Sequence, residues 1–519
     1  MELPPLPFVH GVASGDPLPE AVVLWTRVTP DEEAWPGSGL GAPTAVRWEI
    51  AADEHFSRIV HDGEATTHPD ADHTIHIDVR GLTPDTVYYY RFTVTDGPHT
   101  GAVSPVGRTK TAPAPGAQVN QQRWAIASCA NWEAGFFAAY ADLAERGWSG
   151  DIDVTVFLGD YIYEYAQNQY SGFGPVRLHA PAHEIVSLAD YRTRYGRYRT
   201  DPALKNAHAA MPWVVVWDDH EVANNTWRDG AENHDPSEGD YYARRDAAIR
   251  AYYEWMPVRP TQASDEGHIY RTFTFGDLVE LTIMDLRTYR DVEFWRGGSR
   301  QPGDARTMLG SEQYNWLIST LEASSTKWNA LGNSVMFSPM RLGAVLQNPA
   351  TRPIAKALSS NILSSKAEVP SLNELPLNGD QWDGYDFERR RLINTLGRLG
   401  KSPIFLTGDI HSEWAHSVSH GGAPIGCEVV CSSVTAPNAT DTLKLQPGSP
   451  LVRTAVGYLQ AANPQLRHCA LDSHGYSVVT ITDSEVLMEW LRVDNILDPV
   501  SPVRPAVALT WRKGAGFTS

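Results

Sequence analysis

Cysteine is scarce in this chain, with four residues in 519. They are Cys129, Cys427, Cys431 and Cys469. This number is too small for a fold held together by disulfides, so a hydrophobic interior has to provide the stability. If one of the four takes part in chemistry, the other three allow at most one intramolecular bridge and a spare thiol.

Long apolar runs are missing as well. No stretch approaches the roughly 20 apolar residues that a membrane-spanning helix needs, and the mean hydropathy of -0.33 is ordinary for a soluble globular protein. Met1 is followed at once by Glu-Leu-Pro-Pro-Leu-Pro, without a recognisable signal peptide. We expect a soluble chain. The mature form of an exported protein with an added start Met is an interpretation that the sequence leaves open.

Basic residues are outnumbered by acidic ones, 43 to 62, which gives a formal net charge of -19. A surface of this sign repels the phosphate backbone of nucleic acids, so we expect no nucleic-acid scaffold as a partner. An anionic substrate would need a local source of positive charge, and bound cations are the obvious one.

The length predicts two domains. Residues 1–112 read as all-β, because short runs rich in β-branched and aromatic residues alternate there with Gly, Pro and Asp. In 86–94 the side chains alternate with period two, which places Tyr88, Tyr90, Phe92 and Val94 on one face. The pattern predicts a fibronectin-like β-sandwich.

A segment rich in Pro, Ala, Gly and Gln predicts a linker over 113–122, followed by a catalytic domain over 123–495 and a tail over 496–519 that packs on it. Apolar strands and amphipathic helices alternate in the catalytic domain, as in a sheet covered on both faces. The strands are predicted at 123–129, 154–160, 213–220, 279–287, 334–340 and 403–411. The helices are predicted at 133–147, 240–256, 311–322 and 386–399, before a closing hairpin over 474–493.

Polar residues follow four of these strands at their carboxyl ends. They are Cys129, then Asp160 with Tyr163 three residues on, then Asp218 to Glu221, and finally Asp409 with His411. Ligands bind outside the carboxyl ends of strands in open α/β sheets, because the connecting loops converge there. One such Asp is usually a turn or cap residue, but four endings together predict a metal site.

The motifs that carry these residues resemble the PhoD-type alkaline phosphatases, together with the non-HKD phospholipases D of actinomycetes. The resemblance covers nearly the whole chain. Its motifs are "FVHGVASGDPLPEAVVLWTRVTP" (8–30), "ASCANWEAG" (127–135), "FLGDYIYEY" (157–165), "WDDHEVANN" (217–225), "MDLRTYR" (284–290) and "GDIHSEW" (408–414). It implies a secreted or extracytoplasmic hydrolase with the four-layer α/β/β/α sandwich of the metallophosphoesterases, a group that includes the purple acid phosphatases.

The resemblance also implies a ligand set. Asp160 corresponds to the carboxylate that bridges two metals, Cys129 and Tyr163 are further ligands, and Asp219, Asp409 and His411 complete the set. Asn224 is a further candidate, and Asp472 a weaker one. Where the wider group has a His-Ser-Pro strand end, this chain has Phe337-Ser338-Pro339. Fewer imidazoles and more carboxylates favour Ca²⁺, while the thiolate and phenolate suit Fe³⁺.

For catalysis we expect two metals to activate water for attack on phosphorus. His220 touches the phosphate or protonates the leaving group, and Glu221 orients His220. For Arg287 the sequence supports two interpretations equally: the side chain binds phosphate oxygens, or it forms a salt bridge to Asp285.

Three functional hypotheses follow. The first is a phosphodiesterase that accepts phospholipid headgroups, as a phospholipase D does, with transient contact to a lipid surface. The second is a broad-specificity alkaline phosphomonoesterase using the same metals. The third, a binding or adhesion protein, requires an incomplete ligand set, whereas the set here is complete. The stretch 344–383 is a candidate lid, and the oligomeric state is not readable.

Overall fold

The computed structural model describes residues 6–259, 268–293, 305–359 and 378–518. The strands are β1 (Val12–Leu18), β2 (Ala21–Arg27), β3 (Ala45–Ala51), β4 (Ile59–Thr66), β5 (Thr74–Arg80), β6 (Val87–Asp96), β7 (Gly107–Lys110), β8 (Gln121–Ala127), β9 (Val154–Leu158), β10 (Trp213–Val216), β11 (Arg271–Phe275), β12 (Val279–Ile283), β13 (Trp328–Asn333), β14 (Pro403–Thr407), β15 (Glu413–His420), β16 (Ala423–Val430), β17 (Leu466–Ala470), β18 (Gly475–Thr482), β19 (Glu485–Val493), β20 (Val503–Arg512) and β21 (Gly516–Thr518). The helices are α1 (Ala138–Ser149), α2 (Leu188–Tyr198), α3 (Pro202–Ala210), α4 (Tyr241–Trp255), α5 (Gly310–Ala323), α6 (Ala344–Gln347), α7 (Arg352–Leu358), α8 (Asp386–Arg398), α9 (Ala439–Thr442) and α10 (Pro450–Ala462).

The N-terminal strands form a two-layer sandwich. A four-stranded sheet of order β4-β3-β6-β7 lies against β1, β2 and β5. Tyr88, Tyr90, Phe92 and Val94 of β6 are buried between the layers, as the alternation predicted. The fibronectin-like arrangement of the prediction is therefore confirmed.

The sandwich shares one of its sheets with the rest of the molecule. Strand β1 pairs in parallel with β10, which makes β1, β2 and β5 the outer part of a ten-stranded sheet. At the junction Gly15 lies opposite Trp213, and a Cβ on Gly15 would lie 2.1 Å from the Pro257 carbonyl oxygen. At the far edge β20 and β21 extend the same sheet. The domain boundaries at 112 and 495 stay predictions, because strands on the two sides of each boundary pair with each other, β1 with β10 and β19 with β20.

A seven-stranded sheet of order β11-β12-β13-β14-β16-β15-β17 faces the ten-stranded sheet. In β14, Ile404 and Leu406 pack towards the ten-stranded sheet, while Phe405 packs on the side that carries α5 and α8. Helices α1 and α3 cover the opposite side of the molecule, packed on the ten-stranded sheet. The four-layer α/β/β/α sandwich is therefore confirmed.

The predicted strand over 334–340 is wrong. The strand is β13, which ends at Asn333, and the residues after it are irregular. The backbone N–H groups of Phe337 and Ser338 donate to the Glu428 carboxylate at 2.7 and 2.8 Å. A side chain from β16 thus takes the donors that a neighbouring strand would otherwise have paired.

All four cysteines are buried and unpaired, so none of them forms a disulfide. Among the helices of the described ranges, none has the length and apolarity needed to span a bilayer.

Candidate metal centre

The candidate ligands lie in the turns that directly follow β8, β9, β10 and β14. Four of them adopt left-handed backbone conformations, with φ of 61° at Cys129, 56° at Asp160, 66° at Asp409 and 52° at His411. Such a conformation costs a residue other than glycine roughly 1–2 kcal/mol. It persists only where the surrounding structure imposes it, and it occurs often at functional sites. At these four residues the left-handed conformation turns the backbone sharply at the edge of the sheet.

The first cluster combines a thiol, a carboxylate, a phenol and an imidazole. Ligand atoms of Cys129, Asp160 and His411 all lie within 4.8 Å of one another. The Tyr163 hydroxyl lies 3.0 Å from Asp160 Oδ2 and 3.3 Å from His411 Nε2. Nδ1 of His411 faces the Pro437 carbonyl oxygen at 2.8 Å, which leaves Nε2 directed at the cluster. The structure thus brings together four side chains that the sequence placed 282 positions apart at most.

Burial shapes the protonation of this cluster. Burial raises the pKa of the Cys129 thiol well above its usual range, and the neighbouring Asp160 charge raises it further. Burial, Asp160 and Cys129 raise the pKa of Tyr163 in the same way. Without added positive charge both groups stay protonated, whereas a bound cation reverses the balance and favours the thiolate and phenolate.

A second, oxygen-rich part of the centre adjoins the first. Asp160, Asp219 and His220 form one group of convergent ligand atoms, and Asp218, Asp219 and Asp409 form another. Asp160 Oδ1 and Asp219 Oδ1 are buried and lack a hydrogen-bond partner among the described residues. Buried carboxylate oxygens need a partner, and hard cations prefer such oxygens. The donors present therefore fit a metal centre.

The orientation of His220 requires a correction. We expected Glu221 to orient it, but His220 Nδ1 lies 2.6 Å from Glu164 Oε2. Burial works against protonation of His220, but the charges of Glu164, Asp219 and Asp160 outweigh it and raise the pKa of His220 well above its usual range. Glu164 follows Tyr163 directly in the "FLGDYIYEY" motif, and only this position in the motif pointed to it.

Glu221 instead ties two ligand turns together. Its carboxylate accepts hydrogen bonds from the backbone N–H groups of Asp160 at 3.1 Å, Tyr161 at 2.6 Å and Asp218 at 2.8 Å. The N–H groups at the start of a tight turn have no strand partner, so a buried carboxylate can satisfy all three. Glu221 therefore sets the spacing between the turns after β9 and β10.

Arg287 lies at the centre of a group of carboxylates and is fully buried. Its guanidinium donates to Asp218 at 2.6 and 2.7 Å, to Asp380 at 2.7 Å and to Asp409 at 3.2 Å. Only its backbone N–H contacts Asp285, at 3.0 Å, so the side-chain bridge to Asp285 is not formed. Asp380 was not identified from the sequence, because it lies in an irregular segment without a motif.

Part of each cluster lines a cavity of about 280 Å³, namely Asp160, Asp219, His220, Asp409 and His411. Asn224 lines it, as do the apolar residues Ala357, Leu358 and Ile410. Within the described ranges no Lys or Arg lines it. Asp472 lies elsewhere and accepts a hydrogen bond from the Gly448 N–H. The candidate lid is described only in part, because residues 360–377 lie outside the described residues.

Comparison with protein families gives two matches that together span most of the chain. Residues 124–490 match the PhoD-like phosphatase family, and residues 2–113 match the N-terminal domain of PhoD-like phosphatases.

Individual proteins show the same likeness. Alkaline phosphatase D of Bacillus subtilis is 36% identical over 530 residues, which cover 98% of this chain and 81% of that protein. A solved structure of PhoD is 34% identical, with a TM-score of 0.81, over 100% of this chain and 93% of that one. A purple acid phosphatase from yellow lupin (Lupinus luteus) seeds shares the fold, with a TM-score of 0.55 at 12% identity over 96% of this chain and 73% of that one.

Proposed function

Because this chain belongs to the PhoD-like phosphatase family and is a phosphoester hydrolase, we propose that it favours phosphodiesters, including those of phospholipid headgroups. One observation carries the proposal. No Lys or Arg of the described residues lines the cavity, while Asp160, Asp219, Asp380 and Asp409 do. A phosphomonoester brings one more negative charge than a diester into these surroundings, so the diester is the better match for the cavity.

The rim of the cavity supports the same substrate class. Ala357, Leu358, Ile410 and Ala439 lie beside the polar floor. A diester carries a second substituent next to its phosphorus, and an apolar rim allows this group to pack without burying a charge.

We propose Cys129, Asp160, Tyr163 and His411 as ligands of a trivalent iron, and Asp160, Asp219, Asn224 and Asp409 as ligands of calcium. The first set contains three groups that bind as anions, the thiolate of Cys129, the carboxylate of Asp160 and the phenolate of Tyr163, and these offset a high metal charge. The second set offers carboxylate and amide oxygens, which are the ligand atoms that calcium prefers. When bound, such cations polarise phosphoryl oxygens and lower the pKa of water at the site.

The protein's own residues then position and protonate the substrate. Glu164 holds His220 by Nδ1, so that Nε2 is free for a phosphoryl oxygen or the leaving-group oxygen. The charge of Glu164 raises the pKa of His220, which suits a group that donates a proton to the leaving oxygen. Arg287 balances the carboxylates around it, and Glu221 holds the turns that carry Asp160 and Asp218.

The test is phosphorus NMR of the purified protein with Ca²⁺, on an equal mixture of glycerol phosphate and phosphatidylcholine. We expect phosphatidate to accumulate while the monoester persists. Free phosphate from the monoester, with the lipid intact, contradicts the proposal and favours a phosphomonoesterase, as the name of alkaline phosphatase D of Bacillus subtilis indicates for that relative. The variant Asp160→Asn serves as the control for contaminating activity.

An extracytoplasmic location and transient contact with a lipid surface follow from the same proposal and stay predictions. Fractionation of the producing cells tests the location. Co-sedimentation with phosphatidylcholine vesicles tests the contact.

A further inference from the structure

The loop formed by residues 433–441 contacts two candidate ligands at once. Its backbone runs along the turn after β8, where the N–H groups of Thr435 and Ala436 donate to the Cys129 carbonyl oxygen at 3.3 and 3.1 Å. The next carbonyl, that of Pro437, faces His411 Nδ1 at 2.8 Å. The position of this loop therefore decides both the path of the Cys129 turn and the orientation of the His411 ring.

His474 holds the loop at both ends. Its Nδ1 lies 3.0 Å from Ser433 Oγ, and its Nε2 lies 2.8 Å from Asp441 Oδ2 and 3.3 Å from Asn438 Nδ2. We call Ser433, Asn438, Asp441 and His474 the His474 clamp. All four side chains are at least nine-tenths buried, so water does not compete freely for these hydrogen bonds.

The clamp resembles the serine, histidine and aspartate of a nucleophilic triad, but its geometry serves another purpose. Ser433 is fully buried and does not line the cavity. Its hydroxyl donates its proton to the Ala436 carbonyl oxygen at 2.6 Å, inside the same loop. A serine in this position reaches no substrate, and its hydrogen bonds instead fix the bend of the loop.

We propose that His474 is a positioning residue for the metal centre. By fixing the 433–441 loop, it keeps the Pro437 carbonyl against Nδ1 of His411, so that Nδ1 carries the proton and Nε2 is free for a cation. Partners of this kind set the tautomer and direction of a ligating imidazole, and their loss commonly weakens metal affinity about 10–100-fold. The proposal rests on the iron site proposed above for Cys129, Asp160, Tyr163 and His411.

The test compares the wild type with His474→Ala and His474→Gln. His73→Ala is the matched control, because His73 is also buried and also uses both ring nitrogens, towards Thr67 Oγ1 at 3.2 Å and Leu40 O at 2.8 Å, but within the N-terminal sandwich. The first readout is nitrogen NMR of histidine-labelled, metal-free protein, with the His411 signal assigned from its loss in His411→Asn. The second is the affinity for Fe³⁺, followed by the tyrosinate-to-iron absorption band.

We expect wild type and His73→Ala to show the Nδ1–H tautomer of His411 and the same Fe³⁺ affinity. His474→Ala should show mixed tautomers and about 10–100-fold weaker binding, and the amide of His474→Gln should recover part of both. An unchanged His411 tautomer in His474→Ala overturns the proposal, whatever its thermal stability. The His411 tautomer is measured without metal or substrate, so it tests the role of His474 independently of the proposed function. A wild type that binds no Fe³⁺, or that hydrolyses only monoesters, contradicts the proposed function but does not change what the tautomer measurement shows.

Discussion

Replacement of Arg287 by methionine distinguishes an internal counter-charge from a phosphate clamp. The guanidinium is fully buried and hydrogen-bonds to Asp218, Asp380 and Asp409, and it lies 3.4 Å from Asp219. Methionine keeps much of the volume but removes the charge. The carboxylates then face one another in a buried site without a counter-charge. Each of them must either take up a proton or remain charged at a cost in folding stability.

The size of the effect follows from the burial. Removal of one partner from a buried ion pair costs about 3–5 kcal/mol. The entropy of unfolding is about 2.1 cal/mol/K per residue, which for a chain of this length unfolding as one unit is about 1.1 kcal/mol/K. The expected loss in Tm of Arg287→Met is therefore about 3–5 °C.

Differential scanning calorimetry in EDTA at pH 8 measures this loss, because no divalent cation then offsets the carboxylates. Arg192→Met is the control: Arg192 also binds a carboxylate bidentately, at 2.7 Å, but Glu254 keeps Arg250 as a partner at 3.0 Å, so the loss should be smaller. A Tm of Arg287→Met within 1 °C of wild type, together with a raised KM, refutes the counter-charge and supports the phosphate clamp.

Three further predictions concern single side chains. Cys129→Ser should abolish hydrolysis, and full retained activity would remove Cys129 from the metal centre. Glu164→Gln takes the charge from the partner of His220, so kcat should fall about 10–100-fold with little change in KM; an unchanged kcat contradicts the role given to Glu164. Burial, with Arg194 and Arg177 nearby, lowers the pKa of His179 to about 2. Below about pH 6.5 the unfolded chain therefore binds a proton at His179 that the folded protein does not bind, and the free energy of unfolding should fall by at most about 1.4 kcal/mol per pH unit. His179→Phe should flatten the fall in Tm between pH 6.5 and 4, and an equally steep fall in both proteins shows that other groups cause it.

Local periodicity predicted the regular elements well. Helices α4, α5 and α8 begin and end within one or two residues of the predicted positions, and the buried face of β6 is the predicted one. Each of these features depends on side chains close together in the sequence. The strand predicted at 334–340 fails for the opposite reason, since Glu428, 90 residues away, takes the N–H group of Ser338.

The union of the sandwich with the catalytic sheet was not predictable in this way. It depends on one parallel contact between Gly15 and Trp213, where the absence of a side chain allows the Pro257 carbonyl to approach. No pattern around Gly15 distinguishes this glycine from one in a turn. The joining of the two parts into one ten-stranded sheet is therefore decided by tertiary contacts and not by the local sequence.

For the candidate site, the sequence by itself determined the chemical types of the ligands and the strand ends on which they lie. Cys129, Asp160, Asp219 and His411 follow apolar strands, and the carboxyl ends of such strands meet at one edge. Only the tertiary structure decided which groups surround these ligands, because Glu164 contacts His220, Asp380 contacts Arg287 and His474 contacts Ser433 and Asp441 across 56, 93 and 33–41 positions. The position of a strand end follows from local pattern, whereas a hydrogen bond between distant side chains forms only once packing has excluded water from both.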